Sequence, residues 1–184
     1  MIVITGLLCT SSPLRAQTRW QIDSARSAVR FSIPFMILST VRGTFGRIVG
    51  TITTSAERPD DVRIDAAIDA ASVDTRDRER DRDLKGPTGL DVDRFPQVIF
   101  RSTATRRVSP GHMLVGGDLT IRGITRAVDL IVESAGTAPV AWSGETRIVA
   151  HANAEVHWRD YGMRFNRLVG DKLLLMLHVE LTRS

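Results

Sequence analysis

The chain of 184 residues is poor in cysteine and in aromatic side chains, with one cysteine and 5% Phe, Trp and Tyr. Because Cys9 lies in a short apolar run near the N terminus, the rest of the chain has no disulfide, cysteine-bound metal or thiol nucleophile. No apolar run approaches the roughly 20 residues of a membrane-spanning helix. The formal net charge is +4, but the basic residues are spread along the chain, which argues against a nucleic-acid-binding domain.

Sequence motifs of the common enzyme classes are also missing. The chain has no nucleophile-elbow serine, no phosphate-binding loop and no dinucleotide-binding glycine pattern. His112, His151, His157 and His178 are scattered. On one strand, His151 and His157 would stand about 20 Å apart, too far to share a metal ion. We therefore predict a protein that is not an enzyme, with no catalytic residue, no metal ligand and no cofactor other than a bound ligand.

Residues 1–16 differ in composition from the rest of the chain. An apolar run from Ile2 to Cys9 is followed by polar residues and by Ala16. This pattern predicts a signal peptide cleaved after Ala16, and therefore a periplasmic protein whose mature domain covers residues 17–184. The signal is atypical, because no Lys or Arg precedes the apolar run and the bulky Leu14 occupies the −3 position.

Apolar residues alternate with polar ones over most of the mature chain, which is typical of half-buried β-strands. Val29, Phe31 and Ile33 share one face of an early strand, and Leu175 and Leu177 share one face of the last. The strands are long and are joined by short connections. We therefore predict an all-β fold, a closed antiparallel barrel of about eight strands whose interior holds one slender ligand.

The exception to this alternation is the segment from Ser72 to Thr103. Arg76 to Lys85 alternate in charge, and Gly86-Pro87 follows. We expect a short, charged helical or coiled segment that crosses one open end of the barrel and covers it. On this interpretation Arg80 or Arg82 faces the head group of a ligand, because a guanidinium donates two hydrogen bonds to a phosphate.

Several short motifs recur in the order and spacing of one known family. They are Trp20-x-Ile22-Asp23, Ser27-x-Val29-x-Phe31, Val41-Arg42-Gly43-x-Phe45, Phe95-Pro96-x-Val98-x-Phe100, the run Gly117 to Thr125, and Arg159-Asp160-Tyr161-Gly162. With these motifs the chain resembles the YceI family over residues 20 to 181. It departs from the family at Phe35 and Asp83, where members commonly carry histidine.

The resemblance implies a lipocalin-like barrel that binds a polyisoprenoid lipid, such as an isoprenoid quinone or a prenyl phosphate. It also makes a membrane cytochrome b561-type partner and a homodimer plausible. The predicted ligand-binding residues combine the inward apolar positions with the two arginines of the charged segment: Phe31, Ile33, Phe35, Phe45, Val98, Phe100, Leu175, Leu177, Arg80 and Arg82.

Two alternatives remain open at this point. In the first, side chains fill the barrel and the protein acts as a stress-response partner of a membrane redox protein through its basic surface. In the second, the protein is a small isoprenoid-acting enzyme, which would need a titratable group such as Asp83 or His157 at its site.

Overall fold

A computed structural model of the chain describes residues 17–36, 38–55, 60–139, 146–165 and 168–183, with the backbone alone at 134–139 and 146. The predicted signal peptide, including Cys9, lies outside these residues. The strands are β1 Gln17–Ile22, β2 Ala28–Phe35, β3 Ser39–Phe45, β4 Ile48–Ser55, β5 Val62–Asp69, β6 Val73–Asp74, β7 Gln97–Ser109, β8 His112–Ile121, β9 Ile124–Pro139, β10 Thr146–His157 and β11 Lys172–Arg183. One α-helix, α1, covers Arg78–Lys85, and short 3₁₀ helices cover Ala70–Ser72 and Trp158–Tyr161.

Eight of the strands form a closed antiparallel barrel, in the order β1, β4, β5, β7, β8, β9, β10 and β11. The ring closes because β1 also pairs with β11, with Ile22 opposite Leu181. The tight turn that joins β8 to β9 has Arg122 and Gly123 at positive φ, 52° and 72°. This is the geometry of a two-residue hairpin that matches the twist of its strands. The predicted closed eight-stranded barrel is confirmed.

The number of strands exceeds eight because long strands are interrupted in the first half of the chain. Asp23 accepts hydrogen bonds from the Ala25 N–H at 3.0 Å and the Arg26 guanidinium at 2.7 Å, and this turn separates β1 from β2. The second interruption lies at Gly46-Arg47, between β3 and β4. The alternating segment from Thr40 to Ile52 is therefore divided between two strands.

The interruptions let β2, β3 and β6 continue the same sheet, through β11, beyond the ring of eight strands. The C-terminal part of β11 pairs with β1, and its N-terminal part, from Leu174 to His178, pairs with β2. β3 pairs with β2 along its whole length but with β6 only at Thr44 and Phe45. From Ser39 to Gly43 the outer edge of β3 is therefore not paired with β6.

The predicted charged segment covers one end of the barrel. Asp77 caps α1 by accepting hydrogen bonds from the Glu79 and Arg80 N–H groups, and none of the helix residues is fully buried. The segment is attached by Leu84 and Leu90, which pack against the hydrophobic core. In the described part of the chain, no helix is long and apolar enough to cross a membrane.

Candidate functional site

The barrel encloses a cavity of about 100 Å³. Every side chain that lines it is apolar: Ile22, Val29, Ile48, Ile52, Ile64, Ala66, Ile68, Val98, Phe100, Leu119, Val128, Leu130, Val132, Ala150, Ala152, Ala154, Leu175, Leu177 and Val179. Such a lining offers no hydrogen bond to a guest. The cavity therefore suits a hydrocarbon chain and excludes polar groups.

Small side chains keep the cavity open. Three inward residues of β10 line the cavity, Ala150, Ala152 and Ala154, where larger aliphatic residues would fill an eight-stranded barrel. Ala66 on β5 and Val128 on β9 are further small residues of the lining. An open interior is what separates a binding barrel from one that is filled by its own side chains.

A second, smaller apolar pocket of about 40 Å³ lies under α1 and the residues that follow it as far as Leu90, which we call the covering segment. Its walls come from β2, β3, β6, β11, the covering segment and the loop after β10: Phe31, Ile33, Phe45, Val73, Leu84, Leu90, Trp158, Met163, Phe165 and Leu173. Trp158 is held in place because its indole N–H donates to the Gly170 carbonyl oxygen at 2.7 Å. We call this space the inner pocket.

A third concavity is open to solvent and strongly basic. It has a volume of about 540 Å³ and is lined by Arg30, Phe31, Arg42, Gly43, Thr44, Asp74, Thr75, Arg76, Arg80 and Met176. Four arginines and one aspartate belong to this lining, which gives these residues a formal net charge of +3. We call it the arginine cleft.

The Phe31 ring separates the arginine cleft from the inner pocket, since it lines both. The ring lies over Gly43, the residue opposite it on β3, where a Cβ atom would overlap the ring and lie 2.9 Å from Thr75 Cγ2. On its other side Phe31 pairs with Leu175, a residue of the barrel cavity. Apolar space and a basic surface therefore meet at one aromatic ring.

The structure distributes the predicted ligand-binding residues over these sites. Val98, Phe100, Leu175 and Leu177 line the barrel cavity, whereas Phe31, Ile33 and Phe45 line the inner pocket. Arg80 lines the arginine cleft, and Arg82 lines a separate groove along α1 with Arg78, Asp81, Lys85, Gly86, Val92 and Asp93.

Phe35 was predicted as a ligand-binding residue, but it lines none of the three cavities described above. It is the last residue of β2, lies opposite Ser39, forms a β-bridge with Val169 and is only partly buried. The strand carries it beyond the ring of eight strands, because β2 belongs to the part of the sheet that extends past the barrel. Its neighbour Met36 is 60% exposed.

The histidines are less scattered than the sequence indicated. His112, Glu133, His151 and His178 lie directly opposite one another on β8, β9, β10 and β11, and the His151 and His178 rings are 4.9 Å apart. Their inward neighbours line the cavity, so this row lies on the outer face. Only the strand register could have revealed it.

The titratable residues considered for an enzyme lie outside the apolar cavities. Asp83 is exposed on α1, and His157 is half exposed, with Nδ1 3.2 Å from Asp171 Oδ2. Across the described ranges, no three His, Cys, Asp or Glu side chains are gathered in a way that could hold a metal ion.

Comparison with known proteins adds a family and a set of similar folds. The family description "YceI-like domain" matches residues 20–181. Protein YceI of Salmonella newport is 29% identical over 157 residues, which cover 85% of this chain and 81% of that protein.

Solved structures show the same fold at low sequence identity. The crystal structure of Burkholderia cenocepacia BcnA aligns with a TM-score of 0.77 and 19% identity over 86% of this chain and 98% of that one. A polyisoprenoid-binding domain from Saccharophagus degradans, implicated in plant cell wall breakdown, aligns with a TM-score of 0.64 and 13% identity over 90% of this chain and 98% of that one.

Proposed function

The chain belongs to the YceI-like domain family, and from this premise we propose that its barrel binds the apolar tail of a polyisoprenoid or of a similar amphiphilic lipid. The observation that carries the proposal is the barrel cavity, whose lining is entirely apolar and is kept open by the alanines of β10. The similarity in fold to a polyisoprenoid-binding domain supports the same ligand class.

Binding of this kind is driven by removing the hydrocarbon tail from water. At about 0.8 kcal/mol for each buried CH₂ group, a five-carbon isoprene unit contributes roughly 4 kcal/mol before the costs of ordering are subtracted. The favourable free energy of binding therefore grows with the number of isoprene units that the cavity buries. The tail sets the affinity, and the groups at the covered end of the barrel distinguish one head group from another.

We extend the proposal to a carrier that sequesters or transports the lipid, an isoprenoid quinone or a prenyl phosphate, without changing it chemically. All groups that line the barrel cavity are apolar, so an acid and a base for catalysis would have to lie elsewhere. The alternative with a filled barrel expects no such cavity. A periplasmic location, a cytochrome b561-type partner and a homodimer stay predictions.

The test is native mass spectrometry of the protein purified from cells, followed by organic extraction and identification of the lipid. We expect a stoichiometric apolar adduct on the wild-type protein. Ala152→Trp places an indole inside the cavity, since Ala152 is 8% exposed and lines it, and this variant should lose the adduct. Ala127→Trp is the matched control, because Ala127 is exposed on β9, and it should keep the adduct.

Two results would contradict the proposal. The first is a wild-type protein that carries no adduct and takes up no added polyprenol or ubiquinone. The second is an Ala152→Trp variant that is folded by circular dichroism yet binds as much lipid as Ala127→Trp, because the lipid would then lie outside the barrel cavity.

A further inference from the structure

The turn that joins β2 to β3 is apolar, where a hairpin turn is normally polar. From Phe35 to Leu38 the sequence has no polar residue, whereas Gly, Asn and Asp dominate such turns. Leu38 is 97% exposed and Met36 is 60% exposed. Met36 also has φ of 56°, a left-handed conformation that is unfavourable for a residue with a Cβ atom. Most of both side chains lies in solvent, so burial in the core does not explain this turn.

A third exposed apolar side chain lies beside this turn, in the loop before β11. Leu168 is 48% exposed, and its carbonyl oxygen accepts a hydrogen bond from the Met36 N–H at 2.8 Å. The Gly170 N–H donates to the Pro34 carbonyl oxygen at 2.7 Å, and these two bonds hold the loop against the end of β2. We call Met36, Leu38 and Leu168 the apolar tip. Exposed apolar side chains grouped in this way mark a surface that contacts another protein or a membrane.

The outer face of the strands that lead to the apolar tip is basic. Eight residues of β2, β3 and β11 pair across this face: Arg30, Ser32, Pro34, Thr40, Arg42, Thr44, Leu174 and Met176. None of them is acidic. Arg30 and Arg42 are exposed, and neither forms an ion pair with a described residue. Leu174 and Met176 are exposed apolar residues. The face therefore combines uncompensated positive charge with apolar surface, which suits a negatively charged partner.

The carboxylates beside this face are already engaged. Asp171, just before β11, is contacted by His157 Nδ1 at 3.2 Å and by Arg159 Nε at 3.9 Å. Glu155 on β10 forms an ion pair with Lys172 at 2.6 Å. A negatively charged surface that approaches the apolar tip therefore meets arginines without partners and carboxylates whose charge is already compensated.

We propose that the apolar tip docks the protein on an anionic lipid bilayer, with the outer face of β2, β3 and β11 among the head groups. Apolar insertion and electrostatic attraction together hold a peripheral protein on a membrane reversibly. Arg42 follows Leu38 by four residues, at most roughly 13 Å along an extended chain. Its long side chain therefore reaches the head-group layer when the tip is inserted. This docking goes beyond the proposed function, because it does not depend on which lipid the barrel holds.

A bilayer fits this surface better than a second copy of the chain does. In a two-fold dimer the same patch contributes from both copies. The arginines of one copy would then meet those of the other, and no carboxylate on the face would compensate them. An anionic bilayer instead offers an apolar interior to the tip and phosphate oxygens to the arginines, whose guanidinium groups donate paired hydrogen bonds to phosphate.

The experiment is co-sedimentation of the purified, delipidated protein with two kinds of vesicle, phosphatidylcholine alone and phosphatidylcholine with phosphatidylglycerol in equal parts. We expect binding to the mixed vesicles that weakens between about 0.1 M and about 1 M salt, and much weaker binding to phosphatidylcholine alone. Leu38→Asp should weaken binding to the mixed vesicles about tenfold or more. Val108→Asp is the matched control, because Val108 is also an exposed apolar residue, near the end of β7, and it should bind as wild type does.

A second pair of variants tests the electrostatic contribution. Arg42→Gln should weaken binding to the mixed vesicles roughly fivefold and leave binding to phosphatidylcholine unchanged. Arg106→Gln removes the same charge from an exposed position on β7 and should have no such effect. All four substituted residues are exposed, and circular dichroism of each variant verifies that it is folded.

Several results would overturn the docking. These are equal binding of Leu38→Asp and Val108→Asp, equal loss in Arg42→Gln and Arg106→Gln, or equal binding of wild type to the two kinds of vesicle. Absence of binding, with a dimer in analytical ultracentrifugation that Leu38→Asp dissociates, would assign the tip to a second copy instead. The vesicles contain no polyisoprenoid, so each of these failures would leave the lipid-binding barrel intact.

Discussion

Tyr161 is the single tyrosine of the chain, and its environment is unusual for a residue in a polar motif. It lies in the 3₁₀ helix Trp158–Tyr161, is 1% exposed, and its hydroxyl has no hydrogen-bond partner among the described residues. Burial, and to a smaller extent the negative charge of Asp160, raises the pKa of Tyr161 to about 12. The motif from Arg159 to Gly162 is polar in sequence, yet its tyrosine belongs to the core.

This raised pKa predicts a loss of stability at high pH. The neutral phenol is favoured in the folded state, so its contribution is complete below the unfolded pKa of about 10 and is lost as the pH rises toward 12. Tyr161→Phe should remove this dependence of stability on pH. Near pH 8 the variant should be at least as stable as wild type, and up to about 1 kcal/mol more stable, because it lacks a buried hydroxyl without a partner.

A spectrophotometric titration reports this residue alone, because there is no other tyrosine. The tyrosinate absorbance should rise near the pKa of about 12 in the folded protein. Urea unfolding of wild type and Tyr161→Phe at about pH 8 and about pH 11 checks the linkage. A midpoint near the ordinary value of a tyrosine would show that the phenol is not buried.

At the same scale, a glycine can serve either as a hinge or as a point of close packing, and the residue type alone does not distinguish the two roles. Gly86 and Gly89 follow α1 in the covering segment. A Cβ atom at Gly89 would overlap the Leu84 carbonyl oxygen, and Gly89 is buried. This glycine therefore permits close packing at the end of α1.

At the scale of elements, α1 is attached to the barrel end by few contacts. Its apolar anchor is Leu84, and its polar anchor is Asp81, which accepts both hydrogen bonds of the buried Thr75. The rest of the helix is charged and solvated, as the sequence indicated. Exposed ion pairs of this kind contribute no more than about 1 kcal/mol each, so the helix depends on these two anchors.

We expect Asp81→Ala to destabilise the covering segment by roughly 2–3 kcal/mol, because it leaves the N–H and the hydroxyl of Thr75 buried without an acceptor. Asp83→Ala, an exposed position on the same helix, should change the stability by less than about 0.5 kcal/mol. Amide hydrogen exchange of Thr75 and of α1 measures the local effect, and urea unfolding measures the global one. Equal protection in the two variants would show that Asp81 is not an anchor.

At the scale of the whole molecule, the proposed binding links lipid to stability. The cavity lies among residues of all eight barrel strands, so a lipid in it stabilises the folded state only. At a free concentration of about 100 times Kd the gain is about 2.7 kcal/mol. For a domain of this size that gain raises Tm by roughly 5–10 °C.

Thermal unfolding of the delipidated protein with added polyprenol tests this prediction. Wild type and Ala127→Trp should show the increase in Tm, and Ala152→Trp should not, because its indole occupies the space. An increase of the same size in Ala152→Trp would mean that the lipid stabilises the protein from another surface.

Much of this architecture was predictable from the sequence, because it depends on local periodicity. Alternation of apolar residues identified the strands and their inward faces, so that Phe100, Leu175 and Leu177 were assigned to the interior where they are found. The helix appeared where the alternation ended, and a charged segment without an apolar face had to lie on the surface. Closure of the barrel and its family followed from the strand lengths and from the short motifs.

The tertiary structure alone decided what depends on register and on the paths of the strands. The interruptions at Asp23 and at Gly46 carry β2 and β3 beyond the ring of eight strands. As a result Phe31 forms a wall between two sites, and Phe35 lies outside the barrel cavity. The arginine cleft gathers residues from β2, β3 and the α1 region that are far apart in sequence. The row of His112, His151 and His178 required the pairing of four strands. Local patterns fix which side of a strand faces inward, but only pairing and closure fix which residues meet.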